Sequence, residues 1–105
     1  MSRSYRRIDF DRIASLALPH AETLCWRWLP DGRREAREWT ARNPRRNDRN
    51  VGNFKVNLNT GKWGDFATGD FGGDLVSLAA YLFGLDQREA AIHVADMLGV
   101  SPYEQ

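Results

Sequence analysis

Cysteine and histidine are nearly missing from this chain: one cysteine, Cys25, and two histidines, His20 and His93, are spread over 105 residues. A lone cysteine closes no internal disulfide and offers a metal at most one thiolate, so neither cross-link through sulfur is open to the fold. Cys25 therefore reads as a small buried apolar residue. The histidines have no cysteine nearby and lie in no nucleophile motif, which leaves a zinc cluster or a catalytic triad without support. Long apolar runs are missing too. No stretch approaches the roughly 18 consecutive apolar residues of a membrane span, and the opening MSRSYRRIDF lacks the apolar centre of a signal peptide. The expectation is a cytoplasmic protein without a membrane partner.

What is present is enough for a core. Apolar residues make up 42% of the chain and twelve aromatics are scattered through it, which predicts one small globular domain over residues 1–105. Net charge is only +1, but it is unevenly placed: residues 1–60 carry thirteen Lys/Arg against seven Asp/Glu, and residues 61–105 carry two against seven. Eight of the basic groups fall between Arg33 and Lys55. A local excess of this kind suits phosphate binding, and it equally suits a solvated arginine-rich face.

Periodicity predicts the order of elements. DFDRIASLAL places Phe10, Ile13, Ala14 and Ala17 at helical spacing behind Asp9 as N-cap, with Pro19 as the stop. TLCWRWL alternates Leu24, Trp26 and Trp28 against Cys25, Arg27 and Leu29, and PDG at 30–32 is a turn signal before RREAREWTA, together a hairpin. FKVNL, the turn NTG and KWGDF form a second hairpin, with Phe54, Val56, Leu58 and Trp63 on one face. DLVSLAAYLFG predicts a buried helix capped by Asp74, presenting Leu75, Leu78, Ala79 and Leu82 and stopped by Gly84. DQREAAIHVADMLG opens with a capping box, Asp86 with Glu89, presents Ala91, Ile92, Ala95 and Leu98, and stops at Gly99. The expected class is α+β: a small antiparallel sheet of two hairpins with one N-terminal and two C-terminal helices.

Motifs for nucleotide chemistry fail on inspection. The Gly-Lys pair of NTGKW has Val56 where a Walker loop needs its first glycine and Trp63 where Ser or Thr must reach magnesium. GDFGGD has no room for the strand and helix unit of a dinucleotide site. Asp65, Asp70 and Asp74 lack calcium-loop spacing, and read instead as turn residues and a helix cap. No catalytic residue and no cofactor is expected.

NPRR, FKVNLNTGKW, a glycine-rich turn, GGD and an apolar helix together resemble the N-terminal zinc-ribbon domain of bacterial, phage and plasmid primases and primase-helicases. The resemblance covers about residues 8–99 and is strongest from Asn43 to Leu82. It implies a ribbon-like sheet and a role in holding a single-stranded DNA template, without the separate catalytic domain. It also places Asn43, Arg46, Phe66 and Gly69 on the four zinc-ligand positions, so no metal is expected. A structural zinc contributes on the order of 10 kcal/mol to such domains. Burial of Phe54, Trp63, Phe66 and Phe71 in the vacated ribbon is the expected substitute.

Within this reading Arg42, Arg45, Arg46, Arg49, Lys55 and Lys62 are the expected phosphate contacts, and Trp39 or Trp63 the stacking face. The expected partner is single-stranded DNA. The alternative is docking to a helicase, primase or polymerase through Asp86, Glu89 and Asp96.

Overall fold

The computed structural model describes residues 6–46 and 52–105. The predicted phosphate contact Arg49 lies outside the described residues.

The chain opens with a helical run. α1 (Phe10–Ala17) starts where Asp9 accepts a hydrogen bond from the Arg12 amide at 3.1 Å, and it buries Ile13 and Ala17. Pro19 does not end the run. Its missing N–H is accommodated by a 3-10 turn, Leu18–His20, and the chain continues directly into α2 (Ala21–Trp28). The expected strand at TLCWRWL is therefore a helix. The reason is that Ala21, Leu24, Cys25 and Trp28 also recur at helical spacing, and these four are the buried residues of α2. The alternating reading puts Trp26 on the same side as Leu24, whereas Trp26 is 56% exposed and Leu24 is buried. Burial pushes the Cys25 thiol up to about 12, so this cysteine is an inert apolar filler.

Five strands follow in sequence order as an antiparallel meander: β1 (Arg33–Glu35), β2 (Glu38–Ala41), β3 (Phe54–Asn57), β4 (Trp63–Asp65) and β5 (Phe71–Gly72). The turn PDG joins helix to strand, with the Gly32 amide donating to the Leu29 carbonyl at 3.0 Å. The first hairpin instead turns at Ala36, which adopts φ 55°. That conformation is normally left to glycine or asparagine; here Arg34 Nε donates to the Ala36 carbonyl at 2.8 Å and the Leu58 amide donates to the Arg37 carbonyl at 2.7 Å, fastening the turn from both sides. The second hairpin, β3 with β4, forms as expected.

Period-2 alternation sorts the sheet into two faces. Trp39, Ala41, Phe54, Val56, Trp63 and Asp65 point toward the helices and are buried, while Lys55, Gly64 and Phe71 form a cross-strand row on the other face. Against the inner face packs α3 (Leu75–Phe83), started by a capping box between Asp74 and Ser77 and stopped by Gly84 at φ 65°. α4 (Gln87–Leu98) starts at the predicted Asp86 and Glu89 box and stops at Gly99; it buries Ala90, Ala91, Val94 and Ala95, leaving Ile92 on its outer side. α3, α4 and α1 pack on one another. The class is α+β. Gly72 is required by proximity: a Cβ there would lie 2.4 Å from Trp63 Nε1 and 2.5 Å from Ser77 Oγ, the pair whose 3.0 Å hydrogen bond ties β4 to α3. Among the described residues no helix is long and apolar enough to cross a membrane.

Candidate nucleic-acid interface

The turn after β2 and the turn after β4 converge on one buried polar cluster. Asn43 is fully buried and uses its whole amide: Nδ2 donates to Asp65 Oδ2 and to the Tyr81 hydroxyl, each at 2.7 Å, and Oδ1 accepts from the Arg45 amide at 2.9 Å. Asp65, 2% exposed, accepts at Oδ1 from the amides of Ala67 (2.7 Å) and Thr68 (3.3 Å), while Arg46 Nε lies 3.3 Å from Oδ2. The Tyr81 hydroxyl in turn donates to Asp70 Oδ2 at 2.9 Å, so α3 is tied to both turns. Burial raises the Asp65 carboxyl, but the Asn43 amide, the two backbone donors and Arg46 outweigh it and hold the group below the usual carboxylate range. Burial pushes the Tyr81 hydroxyl up; the Asn43 bond opposes this, and the nearby Asp70 and Asp65 carboxylates add to it.

This cluster corrects two expectations. Asn43 and Arg46 do sit together as the resemblance places them, but the side chain facing them from the second turn is Asp65, not Phe66 or Gly69. Strand alternation turns residue 65 inward and residue 66 outward. The aromatic filling is also half wrong. Phe54 and Trp63 are buried against Tyr81, Phe54 stacked at a centroid distance of 6.0 Å and Trp63 tilted at 4.7 Å, whereas Phe66 and Phe71 are 77% and 82% exposed. A polar network, rather than four rings, joins the turns. No group of three or more His, Cys, Asp or Glu that could hold a metal occurs among the described residues. Melting in excess EDTA is expected to match melting without it within about 1 °C; a fall of the size a structural zinc produces, on the order of 10 kcal/mol of lost stability, would reveal a bound ion.

The predicted contacts separate into two groups. Arg45 Nη1 donates to the Tyr81 carbonyl at 2.8 Å with its guanidinium 5.6 Å from the Tyr81 ring, and Arg46 pairs with Asp65, so both serve the fold. Arg42 and Lys62 are exposed, and Lys55 is half-buried with Nζ 3.8 Å from Glu38 and 6.0 Å from the Phe66 ring centroid. Neither predicted tryptophan offers a stacking face. Trp39, 1% exposed, donates Nε1 to the Leu29 carbonyl at 3.1 Å and meets the Trp26 ring edge-on at 4.9 Å. Trp63, 7% exposed, is held by Ser77 and Tyr81. Asp86 and Glu89, proposed above as part of a docking face, are engaged in capping α4, while Asp96 is exposed.

Sequence reasoning missed the rings that are available. Phe71 stands opposite Gly64 in the ladder, and Phe66 lies just past the end of β4, its amide donating to the Asn53 carbonyl at 2.9 Å. Around Gly64 runs a shallow groove of about 290 Å3, lined among others by Lys55, Lys62, Phe66, Glu38 and Asn57. The alternation Trp63-in, Gly64-out, Asp65-in, Phe66-out was present in the sequence and could have identified Phe66. Phe71 carried no such signal, because β5 is two residues long.

Comparison of the chain with protein-family models, with curated proteins and with solved structures finds no match.

Proposed function

We propose that this chain is a non-catalytic module that binds single-stranded DNA, in a replication system of the primase kind that the sequence resembles. The observation that carries the reading is the outer sheet face: two exposed phenylalanines flank a glycine floor, with Lys55 and Lys62 beside them. Sequence-tolerant single-strand binding combines aromatic platforms for bases with cations for phosphates, and this face supplies both. Glycine inside a strand lets a flat group approach the backbone closely. A duplex hides its base faces in the stack, so the same surface favours single strands.

Fluorescence anisotropy with a labelled oligothymidylate and a matched duplex, titrated at several salt concentrations, tests the proposal. The expected result is preference for the single strand and affinity that falls steeply with salt. Equal binding of both forms, or no binding at low salt, would count against it. Raising the groove floor gives a sharper check. A Cβ at Gly64 would meet its nearest atoms at 3.5 and 3.7 Å, ordinary contact, so Gly64→Val is expected to fold and to weaken binding about ten-fold.

A further inference from the structure

Segments 6–9 and 102–104 meet in a short antiparallel ribbon at the start of α1. Ile8 pairs with Tyr103, the Asp9 amide donates to the Pro102 carbonyl at 2.9 Å, and the Glu104 amide donates to the Arg7 carbonyl at 2.8 Å. Arg12 of α1 clamps the ribbon, its guanidinium donating to the Ser101 carbonyl at 2.7 Å and to the Tyr103 carbonyl at 2.9 Å. Beside it, reaching to the first turn of α4, runs an open groove of about 690 Å3 lined by Arg6, Arg7, Ile8, Phe10, Arg88 and Glu104. No strand of the sheet contributes to this groove, and it shares no residue with the one around Gly64. Three guanidiniums here meet one carboxylate, and none of the three forms an ion pair among the described residues. The Arg6 guanidinium stands over the Tyr103 ring, 5.8 Å from its centroid, a placement that uses its flat face and leaves its edge N–H groups to an acceptor. Apolar surface lies among these charges. Phe10 falls on the stripe of α1 that buries Ile13 and Ala17, yet it is 40% exposed, and Ile92, one turn on from Arg88 along α4, is 37% exposed.

We propose that this groove docks an acidic segment of a partner protein, one that carries an apolar side chain between its carboxylates. Charge complementarity selects the occupant. A carboxylate matches the planar fork of a guanidinium with paired hydrogen bonds, and arginine together with aromatic side chains is what protein interfaces are enriched in. Nucleic acid is the poorer fit, because Ile8 and Ile92 give a base no ring to stack on. The first five residues of the chain itself hold one arginine and no carboxylate, so they do not complement the groove. The inference is independent of the single-strand reading. With DNA on the sheet face and the partner at the ribbon, both can be held at once.

The test uses the full chain and a labelled peptide in which Leu and Phe are set between runs of Asp and Glu, with affinity read by anisotropy. The natural chain is expected to bind this peptide with an affinity that falls as salt rises, and to bind the counterpart carrying Asn and Gln about ten-fold more weakly. Arg7→Glu with Arg88→Glu should weaken peptide binding by about ten-fold or more, with an unchanged melt because both side chains are exposed. Oligothymidylate should neither displace the peptide nor lose more than about two-fold in affinity for the same variant. No peptide binding at low salt, or equal binding by the natural and charge-reversed chains, would overturn the proposal. Displacement of the peptide by oligothymidylate would assign the groove to nucleic acid and overturn it as well. Self-association of the chain that disappears in the charge-reversed variant would put a second copy there in place of a separate partner. No oligothymidylate binding by the unaltered chain would overturn the sheet-face reading and leave this groove standing.

Discussion

Replacing Phe66 and Phe71 together with alanine is expected to weaken oligothymidylate binding by at least about 30-fold. A base stacked on an aromatic side chain contributes roughly 1–3 kcal/mol, and two such contacts would be lost. Stability should scarcely move, within about 0.5 kcal/mol, because both rings project into solvent and bury little against the domain. That separation is what makes the experiment informative. Alanine at Trp63 would weaken binding through unfolding, since that ring is buried against Tyr81 and hydrogen-bonded to Ser77. Anisotropy gives the affinity of the double variant and a thermal melt gives the control. Unchanged affinity with an unchanged melt would remove the outer sheet face from any part in binding.

Asp65→Ala is expected to cost about 3 kcal/mol of stability, the lower end of what breaking a buried ion pair costs. The carboxylate satisfies the Asn43 amide, two backbone amides and Arg46, and its removal strands the buried Asn43 donor and the two turn amides together. The lower end applies because the Arg46 side chain is partly solvated and can recover water. The direction of the pH dependence follows from the lowered proton affinity of Asp65. A carboxyl held below its unfolded value near about 4 contributes stability that is complete above that value and is lost as pH falls through the folded one. Urea denaturation of the natural chain should therefore show stability dropping below about pH 4, and the alanine variant should lack this part of the decline. Equal stability of the two proteins at pH 7 would mean that the cluster does not hold the turns.

Much of the fold was legible because its local signals agree with one another. Asp9, Asp74 and Asp86 cap the helices they were expected to cap, and Gly84 and Gly99 stop theirs, because a carboxylate on orphan amides and a left-handed stop depend on a few adjacent residues. The second hairpin was legible from Phe54, Val56 and Trp63 at strand spacing around a glycine turn. Residues 23–29 were misread because their apolar positions satisfy two periods at once, and only tertiary packing chooses between them. The first turn was invisible because Ala36 takes a left-handed conformation that no sequence rule assigns to alanine.

The site was less legible than the fold, for a physical reason that Asp65 and Phe66 illustrate. Their roles are set by which side of the sheet each faces, and a one-residue change of register exchanges the two. Taking Phe66 as a ligand position put an aromatic inside and left Asp65 as a turn residue, whereas the ladder pairs Asp65 with Phe54 on the inner face. The arginines at 45 and 46 illustrate a related limit. Their charge was plain from the sequence, but a guanidinium that braces a helix end or answers a buried carboxylate looks the same in one dimension as one that waits for phosphate.

The central claim is that the outer sheet face around Gly64 is where a single strand lies. Its most direct test is amide chemical-shift mapping during titration with a short oligothymidylate. The account predicts the largest shifts at Lys55, Gly64, Phe66 and Phe71, with Ala90 and Val94 of the last helix unmoved. Shifts centred on the helical side, with Gly64 and Phe71 unmoved at saturation, would contradict it.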